Sequence, residues 1–168
     1  VDCGAPIMVT DPASAETCKY AANAFLATKL SFTNAIAAVC EAVGADVSDV
    51  LLGMGYDHRI GHEFLRPGPG WGGSCLPKDS RAIISIAEDA GYDFALMRGV
   101  IQANDEQFDR IVRKVESVTS LDGGTVGVLG IAFKAGTDDT RESPAIEVMK
   151  RLLAKGAMVK AYDPAVTS

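Results

Sequence analysis

The most extended pattern in the chain is that of one long apolar helix near its beginning. Residues 11–43 contain no glycine and a single proline, Pro12, which is favoured in a first helical turn. Asp11 or Ser14 can cap the start of this helix. Alanine, leucine and phenylalanine recur almost all round it, so we expect both of its sides to be covered, within a domain or at a subunit interface.

The patterns that follow are helical first and then change to those of strands. Residues 46–55, 77–91 and 92–118 predict three further helices. After Gly124, the stretch TVGVLGIAF is typical of a buried strand, SPAIEVMKRLLAKG of a helix capped by Ser143, and AMVKAYDP of a second strand. The order strand, helix, strand is that of a single βαβ unit.

These elements divide the chain into three predicted parts. Residues 1–10 are expected to be the extended tail of a preceding domain. Residues 11–119 are predicted to form a mainly α-helical domain built on the long central helix. Residues 120–168 are predicted to begin an α/β, Rossmann-like unit that is only partial, because one βαβ unit does not make a stable sheet. We therefore expect the chain to be a fragment of a longer protein.

Charge and composition narrow the class of function. The 168 residues include 16 Lys and Arg against 22 Asp and Glu, and the net charge of -6 argues against non-specific binding to nucleic acid or to an anionic membrane. We also expect no apolar run to span a bilayer. His58 and His62 are four residues apart, but the loop composition around them favours surface histidines over a metal site.

Cysteine usage indicates a reducing compartment. The four cysteines, none of them in CxxC spacing, are Cys3, Cys18, Cys40 and Cys75. Free thiols in the cytoplasm are the natural expectation. Cys18 and Cys40 fall on the long helix and are predicted to be packing residues.

The strongest candidate for chemistry is the cysteine that ends a glycine-rich run. Residues 68–74 read GPGWGGS and lead into Cys75 at the start of a predicted helix. The positive end of that helix and Lys78 favour a thiolate, which is the nucleophilic form of cysteine. Asp79 is placed to accept a proton near the sulfur. From these residues alone, a glycine loop with a buried, unreactive thiol is the competing interpretation.

Two further polar pairs stand out from their surroundings. Lys19 and Asn23 lie four residues apart and share one face of the apolar helix. Lys134 and Arg141 follow the first predicted strand, where ligands of such sheets gather. The alternatives are an exposed lysine and asparagine on the helix and a solvated turn after the strand.

Three stretches together resemble the nucleotide-sugar dehydrogenases, the UDP-glucose/GDP-mannose dehydrogenase family. They are SAETCKYAANAFLATKLSFTN, DHRIGHEFLRPGPGWGGSCLPKD and GVLGIAFKAGTDDTRESPAIEV, followed by YDP. The resemblance implies a homodimer joined through the long helix at residues 12–43, and a C-terminal domain that binds a UDP-sugar. It implies NAD as the cofactor, bound mainly by a domain to which no part of this sequence corresponds. We therefore expect the chain alone to be inactive.

The resemblance also implies catalytic roles. Cys75 resembles the nucleophile of the family, and Asp79 resembles the carboxylate beside that thiol. Lys19 and Asn23 are similar to the polar pair on the family's central helix. The reaction implied is the oxidation of UDP-glucose to UDP-glucuronate, in which the Cys75 thiolate adds to an aldehyde and the resulting thiohemiacetal becomes a thioester. Lys19 and Asn23 would stabilise the oxyanion, and Asp79 would accept protons and position the hydrolytic water.

Binding roles follow from the same resemblance. Arg59 matches an arginine that reaches into the site of the neighbouring subunit. Lys78 and Arg141 match residues that contact NAD. The residues implied to bind the substrate are Lys19, Asn23, Arg59, Phe64, Leu65, Arg66, Pro67, Gly68, Gly72 and Lys134.

Details around the cysteine favour UDP-glucose within the family. The branch that oxidises UDP-N-acetylmannosamine usually has histidine where this chain has Ser74, and the GDP-mannose branch usually differs at RPGPGW. GDP-mannose or another nucleotide sugar remains an alternative substrate. The competing class is an inactive dimerisation and substrate-loop module. A cysteine hydrolase lacks support, because no histidine is placed as a partner base for Cys75.

Overall fold

The computed structural model describes residues 4–166, which form a helical unit followed by a small α/β unit. Within that range the elements are α1 (Pro12–Val43), α2 (Val47–Gly55), α3 (Leu76–Asp89), α4 (Ala95–Glu116), β1 (Thr125–Leu129), α5 (Pro144–Ala154) and β2 (Met158–Tyr162). The predicted class, a helical domain on one long helix followed by a βαβ unit, is confirmed. The first three residues of the predicted tail, Cys3 among them, and residues 167–168 lie outside the described part of the chain.

The ends of α1 are set by the residues that the sequence singled out. Asp11 is the N-cap, and its carboxylate accepts the backbone N–H of Ser14 at 2.9 Å. Pro12 occupies the first turn, where no N–H is needed. Gly44 takes the left-handed conformation, with φ of 73°, and its N–H donates to the carbonyl of Cys40.

Small residues on α1 allow α3 and α4 to pack closely against one of its sides. Ala24 and Ala27 are buried together with Met97 and Val100 of α4 and with Trp71. Cys40 is buried farther along the helix. Cys18 is exposed, so the prediction that it packs in the core was wrong: α1 is solvent-exposed from its first residue through Lys19.

Another side of α1 is uncovered in this single chain, so its expected covering at a subunit interface stays a prediction. Phe25, Phe32 and Val39 recur every seventh residue and are 67%, 51% and 55% exposed. By length and composition alone, α1 could also cross a bilayer, contrary to the expectation that no apolar run would span one. That criterion is weak evidence here, since core helices of soluble proteins meet it too.

The α/β unit consists of two parallel strands joined by α5. Thr125 lies opposite Met158 and Leu129 lies opposite Tyr162. β1 ends four residues before the end of the predicted strand, because Gly130 adopts a φ of 95° that turns the chain. Its residues alternate between exposed and half-buried, so it is not the fully buried strand that was predicted.

The last turns of α4 join the two units. A second core cluster consists of Phe108, Val112, Leu121, Val148, Leu152 and Ala157. Arg151 of α5 adds polar contacts across the same junction: its guanidinium donates to Asp109 at 2.6 Å and lies 5.2 Å from the ring of Phe108. The predicted division at residues 119–120 therefore falls next to a packed junction.

Candidate active site

The glycine loop, residues 68–74, is anchored by its tryptophan. The backbone N–H of Trp71 donates to Oδ1 of Asn104 at 2.8 Å, and Nδ2 of Asn104 returns a bond to the Trp71 carbonyl at 3.0 Å. The indole N–H donates to Ser31 of α1 at 2.8 Å. Trp71 is 6% exposed, and its bonds to Ser31 and Asn104 fix the loop to α1 and α4.

Two further amide side chains hold the start of the loop. Asn34 of α1 accepts the N–H of Gly68 at 2.8 Å, and Gln107 of α4 donates to the Gly68 carbonyl at 2.7 Å. Sequence reasoning missed these anchors, together with Ser31 and Asn104. Polar residues at otherwise apolar helix positions were the available signal, because a buried polar group has to find a partner.

Two glycines allow the loop to approach the α/β unit closely. At Gly72, a side-chain Cβ would lie 1.9 Å from the carbonyl oxygen of Glu142. At Gly73, whose φ is 85°, a Cβ would lie 2.6 Å from the ring of Phe133. The N–H of Gly73 also donates to the Glu142 carbonyl at 3.3 Å. The space beside Gly72 on that side is thus filled by the protein itself, while an approach of Gly72 to a sugar stays a prediction.

Cys75 is exposed and opens on a cavity, not on the core. It is the N-cap residue of α3, with Pro77 in the first turn, and its sulfur lies 3.7 Å from the Ser74 hydroxyl. The cavity is about 330 Å³. We call it the thiol cavity; its lining residues are Leu30, Phe64, Gly70, Trp71, Gly72, Ser74, Cys75, Leu76, Phe133 and Lys134.

One turn into α3, Asp79 gathers three donors around a fully buried carboxylate. Asn23 donates to its Oδ2 at 2.6 Å, and Lys19 lies 3.5 Å from the same oxygen. Lys78 donates to its Oδ1 at 2.5 Å. Asp79 is 0% exposed, whereas the side chains of Lys19 and Lys78 are 62% and 60% exposed. The structure therefore brings the predicted helix pair and the predicted carboxylate together.

Hydrogen bonding keeps Asp79 ionised in spite of its burial. The bond from Lys78 lowers the pKa of Asp79 most; the bond from Asn23 and the charge of Lys19 act in the same direction, while burial opposes them. In return, the pKa of Lys78 is raised, chiefly by Asp79. The ring of Tyr20 lies below both ammonium groups, 5.8 Å from Lys19 Nζ and 5.9 Å from Lys78 Nζ.

The two residues predicted to contact NAD are cations beside Cys75. The pKa of Lys78 is raised mainly by Asp79, and the pKa of Arg141 is raised mainly by its hydrogen bond to Asp139. Lys78 lies in the first turn of α3, three residues after Cys75, and Arg141 precedes Glu142, whose carbonyl accepts the N–H of Gly73 in the glycine loop. The side chain of Arg141 is 72% exposed.

The predicted substrate loop is divided between two cavities. Phe64 lines the thiol cavity and has a φ of 62°, a left-handed conformation that is strained for a bulky residue. Leu65, Arg66 and Pro67 line a different cavity of about 360 Å³ against α2. The structure of this single chain therefore does not bring these three to Cys75.

The remaining predicted residues take separate positions. Lys134 reaches the thiol cavity, and its ammonium lies 5.3 Å from the ring of Phe133. Arg59 instead binds the carboxylate of Asp57 at 2.5 Å, with a side chain that is 78% exposed. An exposed arginine outside the thiol cavity is compatible with a role toward another subunit, which stays a prediction.

Comparison with known proteins places both units in one family. Residues 13–106 match the model for the UDP-glucose/GDP-mannose dehydrogenase family, central domain. Residues 127–168 match the model for the UDP-glucose/GDP-mannose dehydrogenase family, UDP binding domain. The two matches include every residue that the sequence analysis predicted for catalysis, substrate binding or cofactor binding.

Individual relatives agree with this assignment. The chain is 54% identical over 161 residues to UDP-glucose 6-dehydrogenase TuaD of Bacillus subtilis (strain 168), covering 95% of this chain and 35% of that protein. A solved UDP-glucose dehydrogenase from Pyrobaculum islandicum superposes with a TM-score of 0.92 at 42% identity, covering 96% of this chain and 38% of that one. A UDP-D-ManNAc dehydrogenase from Pyrococcus horikoshii gives 0.81 at 29% identity, with the same coverage of 96% and 38%. The chain thus spans little more than a third of the length of these relatives.

Proposed function

Since the chain belongs to the UDP-glucose/GDP-mannose dehydrogenase family, we propose that it supplies the reacting thiol and the sugar-nucleotide site of a UDP-glucose 6-dehydrogenase. The observation that carries the proposal is the arrangement of the exposed Cys75 at a cavity and, one helical turn away, the buried Asp79 that binds Lys19 and Asn23. Because the chain covers 35% of the matched relative, the activity is proposed for this chain acting with a dinucleotide-binding domain. By itself the chain is expected to be inactive.

Two observations favour UDP-glucose over other nucleotide sugars. The matched C-terminal model is described as a UDP binding domain. Identity is 54% and 42% to proteins named for UDP-glucose, against 29% to the UDP-D-ManNAc enzyme. GDP-mannose, which the family name also includes, is the alternative substrate.

The proposed chemistry runs from a primary alcohol to a carboxylate at C6 of the sugar. After the alcohol has become an aldehyde, the Cys75 thiolate adds to the carbonyl carbon and forms a C–S bond. Loss of a hydride from this thiohemiacetal gives a thioester, and water then breaks the C–S bond, which releases the acid and the thiol. NAD would supply the oxidant: the alcohol and the thiohemiacetal each lose one hydride, and each hydride would go to a separate NAD molecule.

Lys19 and Asn23 are assigned to the oxygen that carries the developing charge. The Lys19 ammonium uses only one of its three donors on Asp79, and the Asn23 amide uses one of two. The remaining donors can stabilise an oxyanion on the substrate.

Asp79 is assigned mainly to orientation. A carboxylate whose pKa is lowered is a weak proton acceptor, so direct proton abstraction by Asp79 is the less favoured part of its predicted role. Instead it fixes the Lys19 and Asn23 donors, and because its carboxylate is fully buried, it would position the hydrolytic water only through them.

The chain's own residues fit an anionic dinucleotide beside Cys75. Lys78 and Arg141 are both cations with largely exposed side chains; Lys78 follows Cys75 in the first turn of α3, and Arg141 adjoins Glu142, whose carbonyl binds the glycine loop. We propose that they hold NAD near the reacting carbon. The cytoplasm, where both NAD and free thiols persist, is the proposed location.

The homodimer implied by the resemblance has a suitable contact surface on α1. The stripe of Phe25, Phe32 and Val39 at heptad spacing is exposed in the single chain, and such a stripe packs well against the same stripe of another helix. Sedimentation equilibrium should give a dimer that Phe32→Lys dissociates, while Glu16→Lys, near the exposed start of α1, leaves it intact. A monomeric wild-type chain at micromolar concentration would contradict this assembly.

Protection of Cys75 from alkylation tests the proposed site on the chain itself. Iodoacetamide labelling is followed by peptide mass spectrometry, with exposed Cys18 as an internal control in the same molecule. UDP-glucose should slow the labelling of Cys75 and leave that of Cys18 unchanged. Stronger protection by GDP-mannose would favour the alternative substrate, and no protection by either nucleotide sugar would refute the site.

A further inference from the structure

The turn after β1 decides where two lining residues of the thiol cavity stand. Phe133 and Lys134 both lie in the connection between β1 and α5. The Phe133 ring lies against Gly73 of the glycine loop, where a Cβ would come within 2.6 Å of it. Lys134 in turn lies with its ammonium 5.3 Å from that ring. A shift of this turn would therefore move the side chains of both Phe133 and Lys134.

One carboxylate from the end of β2 holds this turn. Oδ2 of Asp163 accepts the backbone N–H of Ile131 at 2.7 Å and that of Ala132 at 3.0 Å. Its Oδ1 accepts the N–H of Ala165 at 2.8 Å. The N–H groups of Ala132 and Ile131 lower the pKa of Asp163 to about 2, so the carboxylate is charged at neutral pH.

A buried serine holds the same turn from the other side. The hydroxyl of Ser143, which is 1% exposed, donates to the Ile131 carbonyl at 2.6 Å. The sequence predicted that Ser143 caps α5. Ser143 is the N-cap residue, but its side chain makes no capping hydrogen bond. Asp163 and Ser143 thus bind the N–H and the C=O of one residue, Ile131, which lies two residues before the cavity-lining Phe133.

We propose that Asp163 is a positioning residue for nucleotide-sugar binding, acting through the turn that places Phe133 and Lys134 at the thiol cavity. This rests on the proposed function, because it takes Lys134 as a contact of the UDP-sugar. Asp163 lines no wall of that cavity among the described residues. Its charge-assisted bonds to consecutive N–H groups fix the backbone two residues before the lysine.

A double-mutant cycle distinguishes this role from a general structural one. UDP-glucose affinity is measured by calorimetry for Asp163→Ala, Lys134→Ala and the double variant. We expect each single substitution to weaken binding by about tenfold, in line with the loss of a hydrogen bond to a charged group. In the Lys134→Ala background, Asp163→Ala should add less than about a twofold loss.

Two further variants calibrate the cycle. Asp163→Asn keeps one carbonyl oxygen, enough to accept both turn N–H groups, and should retain most of the affinity even if Asp163→Ala folds poorly. Asp138→Ala removes an exposed carboxylate from the same connection and should change nothing. Amide hydrogen exchange at Ile131 and Ala132 should accelerate in Asp163→Ala only.

The outcomes separate the inference from the proposed function. Equal losses from Asp163→Ala with and without Lys134 would overturn the positioning role, as would undiminished affinity in spite of faster exchange at Ile131 and Ala132. A Lys134→Ala variant with full affinity would also overturn it, while leaving UDP-glucose as the ligand. Failure of the wild-type chain to bind UDP-glucose would instead overturn the proposed function, and the inference with it.

Discussion

Placing a methyl group at Gly72 tests whether the glycine loop is fixed by direct contact with the α/β unit. In Gly72→Ala, the new Cβ would stand 1.9 Å from the Glu142 carbonyl oxygen and 2.9 Å from Cδ of Pro144. Cβ atoms do not approach other heavy atoms closer than 3.0 Å, so the loop or the Glu142 backbone must move by about 1 Å. Neither neighbour is the end of a flexible side chain.

The expected cost follows from two contributions. Overpacking of this kind costs about 1–3 kcal/mol. The same movement breaks the bond from the Gly73 N–H to the Glu142 carbonyl, which contributes about 1 kcal/mol. We therefore expect Gly72→Ala to lower the free energy of unfolding by about 2–4 kcal/mol.

Urea unfolding followed by circular dichroism measures this loss, and the same loop supplies a matched control. Gly68 lies four residues earlier, has no heavy atom within 4 Å of the place that an added methyl carbon would take, and lacks a positive φ. Gly68→Ala should therefore stay within about 1 kcal/mol of the wild-type chain, since removing a glycine is neutral or mildly stabilising where the backbone permits it. Equal stability of the Gly72→Ala and Gly68→Ala variants would refute the contact.

Other substitutions probe the supports of the site. Trp71→Phe removes the indole bond to Ser31 and part of a buried ring, and should lower the free energy of unfolding by about 2–3 kcal/mol in urea titrations followed by circular dichroism. Arg151→Gln should cost about 1–2 kcal/mol in the same assay, because it weakens the polar junction between α4 and α5. Acid should destabilise the fold through Asp163 and Asp139, whose pKa values are lowered from 3.8 to about 2 by backbone N–H groups and by an arginine. Their stabilisation is complete above about pH 4 and is lost as the pH falls toward 2. The thermal unfolding temperature should therefore fall less between pH 4 and pH 2 in Asp163→Asn than in the wild-type chain.

Local sequence signals were sufficient for the helices. Asp11, Pro12 and Gly44 fixed both ends of α1, because capping and helix termination depend on neighbours in sequence. The strand β1 was predicted too long, since the apolar run through Phe133 does not show that Gly130 turns the chain and that Asp163, far along the sequence, captures the next two N–H groups.

The candidate site was predictable from residue types only in part. Cys75 and Asp79 share one helix start, so their proximity follows from the local pattern. That Lys19 and Asn23 meet Asp79 depends on how α1 packs against α3, which the resemblance implied and periodicity did not. The anchors Asn34 and Asn104 were missed, because nothing local identifies which loop carbonyl or N–H a buried amide will bind.

Product formation by Cys75→Ser, in the intact enzyme that carries these residues, tests most directly whether this thiol forms the covalent intermediate. We expect UDP-glucose to bind with nearly unchanged affinity, UDP-glucuronate formation to fall on the order of a thousandfold or more, and mass spectrometry to detect a sugar-nucleotide adduct on the wild-type thiol only. Release of UDP-glucuronate by Cys75→Ser at a rate within about tenfold of the wild-type enzyme would contradict this expectation.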